Sequence, residues 1–259
     1  MSYQEIAKNV LQIEIEGLQE VQKNITNEFD QIVDCILKAQ GRLVVTGMGK
    51  SGLIGKKISA TLASTGTRSF FLHPGEAYHG DLGMLHSGDV VLAISNSGET
   101  EEIIKLLPFL KENGNKIIAM AGKKDSTLSI HSDFFIDARI SKEACPLELA
   151  PTTSTTATLA LGDALAVALM KARDFKAENF ARYHPGGSLG RKLLTKVSDV
   201  MKKDSLPILK PDMPFDEIIS VISNGRLGLG IVLEGDKVKS VITDGDIRRL
   251  LKTEKEKAL

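Results

Sequence analysis

The sequence predicts an α/β fold built on a five-stranded parallel sheet. Between residues 42 and 138, five short apolar runs alternate with helical stretches, an order that favours a parallel sheet covered by helices on both faces. Hydrophobic residues make up 42% of the chain and charged residues 25%, which is typical of a globular protein. A length of 259 residues indicates between one and two domains, at roughly 150 residues per domain.

The elements follow from the spacing of apolar residues. In the first 40 residues, apolar side chains recur every three or four positions, which predicts one or two amphipathic helices ending near Gly41. The apolar runs predict strands at RLVVTGM (42–48), RSFFLH (68–73), DVVLAIS (89–95), KIIAMA (116–121) and DFFIDA (133–138). Helices are predicted at 51–65, 76–85 and 101–113, and the Ala- and Leu-rich stretch 156–172 predicts a mostly buried helix.

A second, smaller unit is predicted after a boundary at 193–196. Its elements have the order β-α-β-β-α, because an extended LPILKPDMP segment precedes a helix, two strands and a final helix. The predicted bounds are a leading short helix at Val197–Met201, a helix at 214–223, strands at 227–233 and 237–243, and a helix at 244–251. The predicted domains are therefore 1–194 and 197–252, followed by a solvated tail at 253–259.

Charge and composition exclude several functional classes. Lys and Arg total 33, as do Asp and Glu, so the formal net charge is zero and no basic face indicates a nucleic-acid partner. No run of 18 apolar residues predicts a membrane span, and the polar start MSYQEIAKNV favours a cytoplasmic protein. Two cysteines are too few for a disulfide framework or a zinc cluster. A catalytic or small-ligand role is the remaining expectation.

The first candidate loop is GMGKSG (47–52), between a strand and a helix. Gly47, Gly49 and Gly52 fit the dinucleotide pattern G-x-G-x-x-G, but the second strand ends at His73 without the acidic residue that holds a ribose. A Walker loop also fails, because it needs glycine at the position of Val44.

The second candidate loop is SNSGET (95–100), between the third strand and a helix. Its hydroxyls and amide lie at a helix amino end, where free N–H groups and the helix dipole favour an anion. The alternative is simple helix capping, which needs one hydroxyl where this loop has three. We predict that phosphate is bound by residues of both loops: Gly49, Ser51, Ser95, Asn96, Ser97 and Thr100.

Together, the two loops resemble the sugar isomerase (SIS) domain, a flavodoxin-like three-layer sandwich that binds phosphosugars. Three further motifs resemble arabinose-5-phosphate isomerases of the KpsF/GutQ type: HPGEAYHGDLGML (73–85), EACPLELAPTTSTTATLALGDALAVAL (143–169) and HPGGSLGRKLL (184–194). The small unit, with TDGDIRRLL at 243–251, resembles one CBS motif. Proteins of this type usually carry two such motifs, paired as a nucleotide sensor.

The resemblance implies interconversion of D-ribulose 5-phosphate and D-arabinose 5-phosphate through an enediol. The product would supply Kdo, the eight-carbon acidic sugar of lipopolysaccharide or capsule. The resemblance also implies a homotetramer in which the loop 184–188 reaches a neighbouring subunit's site, and a nucleotide or sugar-nucleotide effector at the CBS unit. Neither a cofactor nor a metal ion is expected.

The family resemblance marks Lys50, Glu102, Glu143, His184 and His79 as catalytic. Lys50 would neutralise the phosphate or the enediolate. Glu143 is predicted to be the base at C1 and C2, its pKa raised by apolar neighbours. One histidine would open the sugar ring and the other would move a proton between O1 and O2. Glu102 lies in a first helical turn, where an interaction with the helix dipole is an equally good explanation.

Two other functions remain open at this level. The first is isomerisation of a different phosphosugar, such as a hexulose 6-phosphate, because the proton chemistry would be identical. The second is a non-catalytic phosphosugar sensor, although the first 40 residues lack the basic recognition helix of a DNA-binding domain.

Overall fold

The computed structural model describes residues 2–257, apart from the side chains of residues 188, 189 and 254–257. The chain divides into two compact units between Leu194 and Thr195. The first unit contains a five-stranded sheet with the strand order β2-β1-β3-β4-β5, in which every neighbouring pair is parallel. The predicted parallel α/β sheet is confirmed. Its strands are β1 Leu43–Gly47, β2 Ser69–Leu72, β3 Val90–Ser95, β4 Lys116–Ala121 and β5 Phe134–Asp137.

The helices of the first unit are more broken than the sequence predicts. The predicted helix at 76–85 becomes a short α-helix and a 3-10 turn at Asp81–Met84, separated at Gly80, which has a φ of +137°. The predicted helix at 101–113 is split before a proline at the start of its second half, because proline lacks an N–H and clashes with the preceding turn. The helices are α1 Tyr3–Asn24, α2 Glu28–Lys38, α3 Gly49–Ser64, α4 Pro74–Tyr78, α5 Glu101–Ile104, α6 Leu107–Glu112, α7 Thr127–Ile130, α8 Thr153–Ala172, α9 Ala177–Tyr183 and α10 Ser188–Leu194.

Helices cover both faces of this sheet. Val44 of β1 packs with the cluster that includes α5, α6 and α7, whereas the next residue, Val45, packs with the cluster formed by α1, α2, α3 and α8. Successive side chains of a strand point to opposite faces, so burial of both faces accounts for the continuous apolar runs.

α3 and α8 pack closely against each other on one face. Gly162 of α8 lies so near Ile58 of α3 that a Cβ atom would collide with that side chain. Next to this contact, Lys57 Nζ of α3 and Asp163 Oδ1 of α8 form an ion pair at 2.5 Å. Both helices start at the carboxyl edge of the sheet and run away from it, so their first turns lie side by side.

Within residues 2–257, one helix, α8, is long and apolar enough to cross a membrane by length and composition alone. The stretch is nevertheless not an unbroken run of 18 apolar residues, because several threonines and Asp163 interrupt it. Half of the most apolar 18-residue window of α8 is buried inside the protein, and its buried residues belong to the core beside α3. A core position therefore accounts for the composition of this helix.

The second unit has a three-stranded sheet with the order β6-β7-β8 and a small core of Leu209, Ile222 and Val232. The predicted β-α-β-β-α order is present. The predicted tail differs, because the last helix continues to Lys257, whereas residues 258 and 259 lie outside the described residues. The elements are α11 Val197–Val200, β6 Ile208–Leu209, α12 Phe215–Gly225, β7 Leu229–Glu234, β8 Lys237–Thr243 and α13 Asp244–Lys257.

Candidate active site

The two candidate loops lie side by side at the carboxyl edge of the first sheet. They follow β1 and β3, which are neighbouring strands. The helix after β1 packs on one face of the sheet and the helix after β3 packs on the other, as the burial of Ile58 and Ile103 shows. This is the point where the strand order reverses, and ligands of open α/β sheets bind at such a point.

The first loop leaves the amino end of α3 open to an anion. Gly49 has a φ of +56°, a conformation that residues with a side chain rarely adopt. Met48, the N-cap residue of α3, makes no side-chain capping bond, and the first turn of the helix contains no acidic residue. Its first N–H groups are therefore available to a negatively charged ligand. Lys50, which is exposed, and Ser51, which is half-buried, lie in this first turn.

In the second loop, the hydroxyls differ in what they are free to bind. Ser95 is only 1% exposed. Its hydroxyl accepts a hydrogen bond from the N–H of Gly98 at 3.0 Å and lies 2.7 Å from the hydroxyl of Thr100. Ser95 and Thr100 thus hold the turn together, and a phosphate contact from either hydroxyl stays a prediction. Asn96 and Ser97 are exposed at the tip of the loop.

The second loop is also fixed to α7. Glu99 Oε1 accepts a hydrogen bond from the N–H of Thr127 at 2.7 Å, and the carbonyl of Gly98 accepts one from the N–H of Leu128 at 3.0 Å. Gly98 has a φ of +68°, and a Cβ atom there would collide with Ser126. These contacts with α7 fix the shape of the loop.

A cleft of about 230 Å³ separates the first turns of α3 and α8. Lys50 and Ser51 line it from α3, and Asn96 reaches it from the second loop. Three hydroxyl side chains that the sequence analysis missed line the opposite side: Ser154, Thr155 and Thr158. Their signal in the sequence is the run TTSTTAT (152–158), in which Ser154 and Thr158, at positions i and i+4, lie on one face of the helix.

A second cleft of about 560 Å³ adjoins the first and shares Asn96 with it. Ser97 and Glu143 also line this cleft. It carries three cationic side chains, Lys123, Arg139 and Lys142. The structure thus brings five of the predicted site residues to two adjoining clefts: Lys50, Ser51, Asn96, Ser97 and Glu143.

Glu143 is held by four hydrogen bonds at the start of α8. Its Oε2 atom accepts from the N–H of Thr152 at 2.8 Å, the hydroxyl of Thr152 at 3.0 Å and the N–H of Ser154 at 3.2 Å. Its Oε1 atom accepts from the hydroxyl of Ser154. Thr152 is the N-cap residue of α8 and its own side chain makes no capping bond. The carboxylate of Glu143 therefore takes over the capping of this helix.

This environment corrects the predicted pKa of Glu143. Burial raises the pKa of the carboxyl group, in the predicted direction, but the hydrogen bonds from Ser154 and Thr152 together outweigh burial. The pKa is consequently lowered from its ordinary value of 4.5. A carboxylate that already accepts four hydrogen bonds must give up donors in order to take a proton, and the role of Glu143 as the base at C1 and C2 stays a prediction.

Glu102 and His79 lie outside both clefts. Glu102 belongs to α5 and His79 follows α4, helices that pack on the face of the sheet opposite α3 and α8. His79 is exposed, and its ring meets that of Tyr78 edge-on with centroids 6.0 Å apart. Among the described residues of this one chain, the predicted catalytic set is therefore not gathered in a single cleft.

His184 follows α9 and also lies outside both clefts. Its ring stacks on Phe180 with centroids 3.9 Å apart, and its Nδ1 atom lies 3.0 Å from the carbonyl oxygen of Phe180. Because a carbonyl oxygen can only accept a hydrogen bond, Nδ1 carries the proton. In the neutral imidazole this leaves Nε2 as a free proton acceptor.

Metal-binding groups were sought among residues 2–257. In this part of the chain, no cluster of three or more His, Cys, Asp and Glu side chains could hold a metal ion. Cys35 and Cys145 are both free thiols.

An open parallel sheet with two loops that meet at its switch point is typical of ligand-binding α/β proteins. The model of the SIS domain matches residues 36–168. The probable arabinose 5-phosphate isomerase of Haemophilus influenzae is 53% identical over 251 residues, which are 97% of this chain and 74% of that protein. Arabinose 5-phosphate isomerase KdsD of Yersinia pestis is 50% identical over 252 residues, covering 96% of this chain and 77% of that protein. The chain belongs to the SIS-domain family that includes the arabinose 5-phosphate isomerases.

A solved structure agrees with this assignment. An Escherichia coli CFT073 protein in complex with arabinose 5-phosphate is 42% identical and superposes with a TM-score of 0.69. The match covers 71% of this chain and 100% of that one.

The lowered pKa of Glu143 gives a pH-dependent prediction. A carboxyl group whose pKa falls on folding contributes stability that is complete above its ordinary pKa and is lost as the pH falls through the lowered value. Glu143→Gln should therefore lower the Tm at pH 7, and its difference from wild type should shrink as the pH falls below 4.5. Thermal unfolding followed by circular dichroism measures both. Glu148→Gln is the control, because it removes a carboxylate from an exposed position of the same cleft. A Tm difference for Glu143→Gln that stays constant with pH would contradict the capping role.

Proposed function

We propose that the protein interconverts D-ribulose 5-phosphate and D-arabinose 5-phosphate. The observation that carries the proposal is the cleft between α3 and α8, where Lys50, Ser51 and the uncapped start of α3 face one side of a space for a small sugar phosphate. Two relatives, at 53% and 50% identity, bear the name arabinose 5-phosphate isomerase. The Escherichia coli protein at 42% identity, which is in complex with arabinose 5-phosphate, supports the same substrate.

The proposed reaction moves a proton between C2 and C1 of the open-chain sugar. A base removes the C2 proton of the aldose to give an enediol, and the proton is returned to C1 of the ketose while a second proton passes from O2 to O1. Negative charge on the phosphate and on the enediolate needs nearby donors. Lys50, Ser51 and the first N–H groups of α3 supply the donors for the phosphate on one side of the cleft.

We assign the proton transfer between the carbons to His184. Its Nε2 atom is the free acceptor of a ring that Phe180 holds in one orientation and one tautomer, which is what a general base requires. In the same proposal, His79 and Glu102 serve ring opening and the exchange between O1 and O2. Because all three lie outside the cleft of Lys50 in the same chain, they would act in the site of a neighbouring subunit of a homotetramer.

Incubation with D-ribulose 5-phosphate in deuterated water tests the reaction. Proton NMR should show arabinose 5-phosphate carrying deuterium at C2. Lys50→Met should reduce kcat/KM by about 10- to 100-fold, because it removes one charge-assisted hydrogen bond to the phosphate. Lys56→Met is the matched control, because Lys56 is an exposed lysine of the same helix whose ammonium group lies over Phe71. Absence of both product and exchange in the wild type would overturn the proposal.

The shared site is tested by mixing two inactive variants. Lys50→Met and His184→Gln subunits, denatured together and refolded, should regain activity because some sites then receive an intact lysine and an intact histidine. A mixture of Lys50→Met and Asn96→Ala subunits should not, since those two residues line the same cleft of one chain. If both mixtures stay inactive, the histidine does not come from a neighbour.

We propose further that the second unit is a single CBS motif with a nucleotide or sugar-nucleotide effector. Its cleft of about 550 Å³ is lined by Arg226, Asp244 and Arg248 among others, a mixture of charges suited to phosphate and ribose groups. Calorimetric titration of the full chain with ADP and with a cytidine-linked sugar should give saturable binding that Asp244→Asn weakens. Flat titrations with both nucleotides would contradict the effector role.

We propose also that the protein is cytoplasmic and that its product supplies Kdo synthesis. Two free thiols agree with a reducing compartment.

A further inference from the structure

The α8 side of the substrate cleft consists of three hydroxyls whose protons are already committed. Ser154 Oγ donates to Glu143 Oε1. Thr155 Oγ1 donates to the carbonyl of Thr152 at 2.8 Å, and Thr158 Oγ1 donates to the carbonyl of Ser154 at 2.8 Å. A hydroxyl has one proton and two lone pairs, so each of these oxygens can only accept a further hydrogen bond from a ligand.

This arrangement gives the cleft two walls of opposite hydrogen-bonding character. The α3 wall donates, through the ammonium of Lys50 and the free N–H groups of the first turn. The α8 wall, made of Ser154, Thr155 and Thr158, accepts. A phosphate dianion presents only acceptor oxygens, so it pairs with the α3 wall and not with the α8 wall. The O–H groups of a sugar are the donors that the α8 wall can receive.

Glu143 determines the character of the α8 wall. It holds the proton of Ser154 and bonds two N–H groups at the start of α8, those of Thr152 and Ser154. This second effect closes the amino end of α8, which would otherwise attract an anion as the open end of α3 does. Without the carboxylate, the Ser154 hydroxyl would be free to turn its proton into the cleft.

We propose that Glu143 is a positioning residue, and that Ser154, Thr155 and Thr158 form the acceptor wall that recognises the sugar hydroxyls opposite Lys50. The inference rests on the proposed isomerase function and adds which residues select the sugar. Phosphate at the α3 wall and hydroxyls at the α8 wall fix which part of the substrate faces each wall of the cleft. Polyhydroxylated sugar phosphates are thereby preferred over deoxy analogues and over inorganic phosphate.

The acceptor wall is tested by removing single hydroxyls. Thr155→Val and Thr158→Val should each raise KM for D-ribulose 5-phosphate by about 3- to 10-fold, the loss of one hydrogen bond, with kcat nearly unchanged. The Kd for inorganic phosphate, measured by calorimetry, should not change in either variant. Thr156→Val is the matched control, because Thr156 belongs to the same helix but does not line the cleft. Unchanged KM values in both variants, or a raised Kd for phosphate, would overturn the assignment.

The role of Glu143 is tested against that of a base. A positioning role predicts that Ser154→Ala reproduces most of the rise in KM seen in Glu143→Gln, and that the double variant is less impaired than the sum of the two. The pH profile of kcat and the deuterium exchange at C2 should persist in Glu143→Gln. A fall in kcat of about 100-fold or more in Glu143→Gln, with normal kinetics in Ser154→Ala, is the signature of a general base and would overturn the proposal.

Two outcomes separate this inference from the proposed function. If the wild type produces no arabinose 5-phosphate, the isomerase function itself fails. If the wild type is active and the threonine variants behave as wild type, only the acceptor wall fails. Should Glu143→Gln not fold, the kinetics of Ser154→Ala, Thr155→Val and Thr158→Val decide, since none of these removes the helix cap.

Discussion

The candidate site depends on a difference in capping between two helices that start at the same sheet edge: the amino end of α8 is capped by a carboxylate and that of α3 is not. α3 and α8 start side by side, and both would attract an anion at their first turn. α8 receives the carboxylate of Glu143 as its cap, whereas α3 has no side-chain cap and carries Lys50 in its first turn. Of these two helix ends, only the start of α3 is therefore left favourable for an anionic group.

The sheet explains why the two candidate loops meet although they are far apart in the sequence. Parallel strands end at the same edge, and β1 and β3 are direct neighbours there. The SNSGET loop has a further constraint, because Ser95, Gly98 and Glu99 use their polar groups to brace the turn and to hold α7. Ser97 Oγ also accepts a hydrogen bond from the N–H of Glu99 at 3.1 Å, and its own proton remains available to a ligand, as does the exposed side chain of Asn96.

The sequence predicted what depends on local pattern and failed where distant groups intervene. The five strands are recognisable because strands buried on both faces are continuous apolar runs. The α8 hydroxyls and the capping of Glu143 are different in kind. The partners of Glu143 lie nine and eleven residues away, at Thr152 and Ser154. Apolar neighbours alone therefore suggested a raised pKa, when the hydrogen bonds that lower it come from a helix start packed against the loop.

The loop before α8 closes on itself: the N–H of Ala144 donates to the hydroxyls of Thr152 and Thr153 at 2.9 Å and 3.0 Å, one residue from the carboxylate that caps the helix. The wall that faces the sugar and the group that orients it consequently belong to one continuous segment, 143–158. The two candidate phosphate loops, 47–52 and 95–100, follow β1 and β3 and lie outside this segment. On the proposed assignment, substitutions within this one segment would change the contacts to the sugar and leave the contacts to the phosphate unchanged.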